Sequence, residues 1–191
     1  MYLKYLLPVF FFATSAATTS QSQTPDPALR SAQTVFQAHQ DAVGFPVQRP
    51  VTVPRAVLQV LGKDSGVRSC LENKHLLPNQ LPHSWFIGSL VHLNGQSQKD
   101  LLVVPNLSPD QSGCFHGIGS VAWFWVFRHT QTSYQLVLSV GAGTLRILDA
   151  ESNGYSDIEI SSWNATTETT TTFSFDGRQY REHKTKTEAR H

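Results

Sequence analysis

The run Val121-Ala122-Trp123-Phe124-Trp125-Val126-Phe127-Arg128 decides the fold that we predict for this chain of 191 residues. Valine, phenylalanine and tryptophan favour strands, in which successive side chains point to opposite faces. Both alternating sets of this run are apolar, which is typical of a central strand covered on both sides. Because each aromatic side chain buries about 150–250 Å², we expect this strand to anchor the core.

The N-terminus has the three parts of a secretory signal peptide over residues 1–17. Lys4 supplies a basic region, Leu6–Ala13 an apolar region, and Ser15-Ala16-Ala17 a small-residue cleavage site. The apolar run is too short to span a bilayer, so no transmembrane anchor is expected after cleavage. We therefore predict a secreted or periplasmic protein whose residues 18–27 form a polar linker.

Helix signals dominate the first part of the mature chain. The segment Ala28–Val43 spaces its apolar residues as a helix does. A second, shorter helix is expected between Pro54 and Gly62, because proline suits the start of a helix and glycine its end. A third helical turn is expected around Cys70 and Leu71.

From Trp85 onward the pattern changes to alternating strands separated by turn residues. The stretches Gly141-Ala142-Gly143 and Asp176-Gly177 are typical of tight hairpins. We predict an α+β or mainly β fold, with N-terminal helices packed on a largely antiparallel, meandering sheet. The predicted strands are Trp85–Leu93, Asp100–Val104, Val121–Arg128, Tyr134–Val140, Thr144–Asp149, Asp157–Ser162, Thr169–Phe175 and Arg178–His183.

One globular domain is expected over residues 28–183, with a helical part at 28–77 and a β part at 85–183. The net charge of +1 and the lack of a basic stripe argue against a nucleic-acid partner. The basic-rich C-terminus is interrupted by glutamates, so residues 184–191 are predicted to be a disordered tail. The run Thr166–Thr172 predicts an edge strand, with a flat surface facing ice or sugar as the alternative.

Cys70 and Cys114 form no CxxC pair, and export places them in an oxidising compartment. We predict a disulfide between them, which would stabilise the fold by about 3–4 kcal/mol in the chain-entropy model. The alternative is a catalytic Cys114 with His116 two residues on.

The stretch Asp149-Ala150-Glu151-Ser152-Asn153-Gly154-Tyr155-Ser156-Asp157 carries oxygen atoms at alternate positions and a glycine in the sixth. In a curled loop such residues point inward, which suits a weakly bound Ca²⁺. Side chains of Asp149, Glu151, Asn153 and Asp157 and the backbone carbonyl of Tyr155 would be the ligands. The alternative needs no metal or cofactor: a hairpin turn at Asn153-Gly154 in which Asp157 accepts backbone N–H bonds.

This stretch resembles the FG-GAP or VCBS repeat of integrin-like β-propellers, whose blades carry a D-x-[DN]-x-[DN]-G-x-x-D calcium loop between strands. A poorer copy, His92–Asp100, has the same span and the same aspartate ahead of an apolar strand, but it lacks the other acids and its glycine is shifted. The resemblance implies a β-hairpin scaffold, with too few copies to close a propeller.

Motifs of serine nucleophiles, zinc proteases and dinucleotide sites are absent from the sequence. We therefore predict a small exported non-enzymatic binding protein that engages another protein or a cell-envelope component. One alternative is a hydrolytic or metal-dependent enzyme whose residues, such as His92, His116, Asp100 and Asp157, meet only in space. Another is an inhibitor of a foreign enzyme that uses the loop Asn106–Gly119 as a plug.

Overall fold

The computed structural model describes residues 34–37, 47–95, 99–106, 115 and 121–190. The predicted signal peptide, the linker and Cys114 lie outside these residues. The described elements are β1 (Val35–Gln37), β2 (Pro50–Val51), α1 (Arg55–Leu61), α2 (Ser65–Asn73), β3 (Phe86–Val91), β4 (Asp100–Pro105), β5 (Ala122–His129), β6 (Tyr134–Ala142), β7 (Thr144–Ser152), β8 (Tyr155–Trp163), β9 (Thr167–Phe175) and β10 (Tyr180–Ala189).

The described strands form two five-stranded sheets, both antiparallel. The inner sheet has the order β2-β3-β4-β5-β6, and the outer sheet has the order β1-β7-β8-β9-β10. Consecutive strands from β2 to β6 and from β7 to β10 are neighbours, so the predicted meander is confirmed within each sheet. The protein is mainly β, and the division into two packed sheets is what the sequence pattern did not reveal.

Strand β5 is covered on both faces, as predicted. Phe124 and Val126 lie in a core between the two sheets, together with Leu145 and Ile158 of the outer sheet. Their neighbour Trp125 points the other way into a second core, which it shares with the helices. The alternation of strand side chains therefore makes one strand the common wall of two cores.

The two helices lie on the face of the inner sheet that is turned away from the outer sheet. Helix α1 begins after Pro54, whose carbonyl accepts the N–H groups of Val57 and Leu58, and it ends at Gly62. Asp64 caps α2 by accepting the N–H groups of two residues in its first turn. The second and third predicted helices are confirmed, and their apolar faces pack in the same core as Trp125.

The helix predicted over Ala28–Val43 is wrong at its described residues. Val35–Gln37 form β1, which pairs with β7 at the edge of the outer sheet. Phe36 is buried in the core between the sheets, directly opposite Leu145. Tertiary pairing with an existing strand therefore overrides the helical spacing of this segment.

Two predicted hairpins have different outcomes. At Asp176-Gly177 the hairpin is confirmed: the Asp176 carboxylate accepts the N–H groups of Arg178 and Gln179, and Gly177 has a φ of 95°. At Gly141-Ala142-Gly143 it is wrong, because β6 and β7 belong to different sheets.

Gly143 marks the point where the chain crosses from the inner to the outer sheet. Its N–H donates to the carbonyl of Ser161 at 2.8 Å. A Cβ at this position would lie 2.5 Å from the Trp163 ring. Glycine is required here by the close approach of an aromatic ring rather than by a positive φ.

We expect Gly143→Ala to lower the free energy of unfolding by about 1–3 kcal/mol, because the methyl group overlaps the Trp163 ring. In a Trp163→Ala background the same change should cost almost nothing. Urea unfolding of the four variants of this cycle measures the difference. Gly95→Ala is the control, since a Cβ at Gly95 meets no atom of the described residues within 4 Å. Equal losses from Gly143→Ala in both backgrounds would contradict the overlap.

The predicted disordered tail is also corrected at its described residues. Residues 184–189 belong to β10, which pairs with β9 as far as Ala189 opposite Thr167. The alternation of threonine with charged residues after the Asp176-Gly177 turn was the available strand signal. The many charged residues of this segment made the strand pattern hard to recognise.

Candidate functional site

A buried polar cluster lies at the end of the sandwich where β4 begins and β5 ends. Asp100, only 1% exposed, accepts the N–H of His129 at 2.7 Å through Oδ1. Its Oδ2 makes no hydrogen bond in the described part of the chain. Burial raises the pKa of the Asp100 carboxyl, and the N–H groups of His129 and Leu93 and the charge of Arg128 oppose that rise.

Arg128 joins this end of the inner sheet to the outer sheet. Its guanidinium donates to the amide oxygen of Gln135 at 2.7 Å. It also lies 5.9 Å from the centroid of the Tyr155 ring and 5.6 Å from that of Phe175. Both distances are within the range of cation–π attraction, so Arg128 stabilises the contact between the sheets.

The charges of Asp100 and Asp157, the last aspartates of the two similar stretches, both act on Tyr180. Its hydroxyl donates to the carbonyl of Ser156 at 2.7 Å. Burial, followed by the charges of Asp100 and Asp157, raises the pKa of Tyr180 far above its ordinary value. The phenol therefore stays protonated and acts as a fixed hydrogen-bond donor.

The two stretches that resemble each other in sequence meet at this cluster. The N–H of Ser156 donates to the carbonyl of Leu93 at 2.6 Å. The first stretch, His92–Asp100, joins strands of the inner sheet, and the second, Asp149–Asp157, joins strands of the outer sheet. They are therefore facing hairpins of a sandwich in this structure rather than successive blades.

The structure does not gather the predicted calcium ligands. Asn153 and Gly154, with φ of 51° and 74°, form a two-residue hairpin turn, and Glu151 pairs directly with Ser156. The Asn153 amide nitrogen donates to the carbonyl of Phe175 at 2.6 Å. Asp149 is exposed on β7, and within the described ranges no three acidic, histidine or cysteine side chains are grouped as a metal site requires. Calcium binding at this stretch stays a prediction, and the hairpin geometry favours the alternative of a turn without metal.

Within the described residues, Asp157 fills neither role predicted for it, that of a calcium ligand or that of an acceptor of backbone N–H groups. Its Oδ1 is buried but accepts no hydrogen bond from the part of the chain that the structure describes. The role of accepting backbone N–H groups at a strand start is filled by Asp100 instead.

We expect a few millimolar calcium to leave the melting temperature unchanged, because the described residues do not group these acids as a metal site requires. Differential scanning calorimetry with calcium and with a chelator measures this. Asp176→Ala, which removes an acid from another hairpin turn, is the control. A rise of about a few degrees that is lost in both Asp149→Ala and Asp157→Ala would restore the calcium site.

A cleft of about 270 Å³ lies beside α1, far along the chain from the polar cluster. None of His92, Asp100 and Asp157 lines it, so it does not join the residues expected of an enzyme site. His116 and most of the loop Asn106–Gly119 lie outside the described residues. The lining residues are Arg55, Leu58, Gln59, Pro78, Asn79, Gln80, Leu81 and His83.

Cys70 is buried in α2 and is not a free thiol. Phe115, the residue after Cys114 in sequence, lies in the same core as Cys70, with its ring 5.7 Å from that of Trp125. This proximity supports the predicted Cys70–Cys114 disulfide, which stays a prediction because Cys114 lies outside the described residues.

Mass spectrometry of the non-reduced protein should find a peptide pair joined through Cys70 and Cys114. We expect no alkylation of the native protein and two alkylated cysteines after reduction. Reduction should also lower the free energy of unfolding by about 3–4 kcal/mol. An alkylated Cys114 in the native protein would instead favour the catalytic alternative.

A ribbon formed by β9 and β10 lies at the edge of the outer sheet, and its strand β10 is exposed along almost its whole length. Every residue from Arg181 to Ala189 is exposed, whereas Tyr180 is buried. On one face, hydroxyl groups pair across the strands between Thr169 and Thr187 at 3.1 Å and between Thr171 and Thr185 at 2.9 Å. The opposite face of β10 carries Lys184, Lys186 and Glu188.

No protein-family model matches this chain, and neither does any curated protein or solved structure. The resemblance to FG-GAP repeats therefore rests on the residues of the two hairpins alone. In the described parts of the chain, neither α1 nor α2 has the length and apolar character needed to cross a bilayer.

Proposed function

We propose that this protein is a small exported, non-enzymatic binding protein that engages another protein or a cell-envelope component through the ribbon β9–β10. The observation that carries the proposal is the continuous exposure of Arg181–Ala189 in a strand that pairs with β9 at every residue except His183. Such a strand buries little of its own surface against the rest of the protein. Its surface is therefore accessible for a partner.

Within the described residues the ribbon holds its shape without an element covering β10, which favours binding. The Asp176-Gly177 turn closes one end, and at the other the N–H of Arg190 donates to the carbonyl of Thr166 at 2.9 Å. The paired threonine hydroxyls hold the strands in register between these ends. A preformed surface loses less conformational entropy on binding than a disordered tail would.

One specific observation, the polar cluster, favours the alternative that the protein is an enzyme. Asp100 and Asp157 act electrostatically on the same tyrosine, and each has a buried carboxylate oxygen without a hydrogen bond in the described residues. A buried carboxyl with a raised pKa, such as that of Asp100, is a frequent feature of active sites. The 270 Å³ cleft does not reach them, so we keep an enzymatic role as the second proposal.

The experiment is capture from envelope extract on immobilised protein. We expect the double variant Lys184→Glu, Lys186→Glu to lose the captured component. The matched control reverses two exposed lysines at the helices, Lys63 and Lys74, and should keep it. Equal capture by wild type and by the β10 variant would overturn the ribbon as the binding surface.

Export is tested separately, because the binding proposal places the protein outside the cytoplasm. N-terminal sequencing of protein from the periplasm or the medium should begin near Thr18, after cleavage at Ala17. Protein that retains Met1 and stays in the cell would contradict export.

A further inference from the structure

Strand β10 is the last strand of the outer sheet. One of its edges pairs with β9, and in the described part of the chain no strand pairs with the other. The register is irregular between Glu182 and Lys184, and from Lys184 to Ala189 it continues without interruption. An unpaired edge of this kind presents alternate N–H and C=O groups that can pair with an added strand.

The charges along this edge follow a definite order. Lys184, Lys186 and Glu188 lie on one face, and the neutral residues between them lie on the other. Lys186 is paired with Glu188, whereas Lys184 is not part of any ion pair within the described residues. The edge therefore presents two positive charges followed by a negative one, at every second residue.

We propose that the edge of β10 over Lys184–Ala189 binds an extended, acidic segment of another protein as an additional antiparallel strand. This inference rests on the proposed function and names the chemistry of its partner. Opposite charges across neighbouring strands attract, so acidic side chains belong opposite Lys184 and Lys186 and a basic one opposite Glu188. Between them, threonine or another β-branched residue fits beside Thr185 and Thr187.

A second copy of this chain fits the edge less well. In the antiparallel register that places Lys186 of one copy opposite Glu188 of the other, Arg190 falls opposite Lys184. Lysines on an edge strand commonly prevent pairing between copies for this reason. The same lysines attract an acidic strand, so the charge pattern selects a different protein as the partner.

The probe is a synthetic peptide with the central sequence Lys-Thr-Glu-Thr-Glu, which is complementary to the edge in the antiparallel direction. Its control has the charges exchanged, Glu-Thr-Lys-Thr-Lys. Hydrogen–deuterium exchange of the full-length protein should show that the first peptide protects alternate amides of Lys184–Ala189. The second peptide should bind at least about fivefold more weakly.

Lys184→Glu should weaken binding of the first peptide by about fivefold and strengthen binding of the second. Lys63→Glu changes the net charge equally at an exposed site beside the helices, and should leave both affinities unchanged. If Lys184→Glu disturbs the ribbon itself, the preference of the wild type for one peptide over the other still decides the question.

Three results would overturn the inference: no amide protection at millimolar peptide, equal binding of both peptides, or equal weakening by Lys63→Glu. Protection of the same amides with rising protein concentration alone would show that a second copy is the occupant. If reversing the β10 lysines abolishes capture from envelope extract while neither peptide protects the edge, the ribbon still binds a partner, and only strand addition fails.

Discussion

Trp125→Ala should lower the free energy of unfolding by about 3–5 kcal/mol, one of the largest effects of any single change in this chain. Trp125 is 0% exposed. Its ring contacts those of Trp123, Phe86 and Phe115 at centroid distances of 6.3, 5.6 and 5.7 Å. Removing it empties the centre of the core that joins the helices to the inner sheet. Urea unfolding followed by circular dichroism measures the loss.

Phe124→Ala tests the opposite face of the same strand. Phe124 is also 0% exposed but lies in the core between the sheets, so a similar loss of about 3–5 kcal/mol is expected. Leu90→Ala, at a side chain 38% exposed on β3, is the control and should cost less than about 1 kcal/mol. Because alanine at position 125 can prevent folding, Trp125→Phe provides a graded variant. A loss confined to one of the two faces would contradict a strand shared by two cores.

We expect the contribution of the Asp100 carboxyl to the free energy of unfolding to decrease as the pH rises. Burial raises the pKa of this carboxyl above its ordinary value of 3.8, so the folded protein holds the proton more tightly than the unfolded chain does. The resulting stabilisation is fully present below the unfolded pKa and is lost as the pH rises through the folded pKa. Above that folded pKa the buried carboxylate is ionised, and its burial then costs the fold stability.

Asp100→Asn removes the charge while keeping an oxygen that can accept the N–H of His129. We expect its stability, relative to that of the wild type, to increase from acid to neutral pH. Asp100→Ala leaves that N–H without its acceptor and should lose about 1–3 kcal/mol. Urea unfolding at a series of pH values measures all three proteins.

Asp176 provides a control of opposite sign. The N–H groups of Gln179 and Arg178 lower the pKa of its carboxyl, so its contribution is present above the unfolded pKa and is lost as the pH falls through the folded pKa. Asp176→Asn should therefore lose stability, relative to the wild type, as the pH rises. A difference between Asp100→Asn and the wild type that stays constant with pH would contradict a raised pKa at Asp100.

The candidate site was only partly visible in the sequence. Asp100 and Asp157 stand out because each precedes an apolar strand, and both belong to the polar cluster. Nothing in the sequence marked Arg128 and Tyr180 as members of the site, since an arginine at a strand end and a tyrosine after a turn are common on surfaces. Their roles arise from contacts between strands that are distant in sequence, such as that of Arg128 with Phe175.

Local chemistry by itself determined most of the secondary structure between Pro54 and Gly177. The two apolar faces of Val121–Arg128 require cover on both sides, and the Asn153-Gly154 and Asp176-Gly177 turns need only the backbone freedom of their own residues. These preferences act over a few residues, so they can be read without knowing the fold.

Tertiary structure decided which sheet each strand joins. Gly141-Ala142-Gly143 has the composition of a hairpin, yet the Trp163 ring occupies the space beside Gly143, where the chain passes to the other sheet. Phe36 lies in a segment with helical spacing, yet burial opposite Leu145 makes that segment a strand. In both places, packing against residues far along the chain outweighs the local preference, because burying a large apolar side chain contributes about 1.5–3 kcal/mol and local propensities differ by less than about 1 kcal/mol per residue.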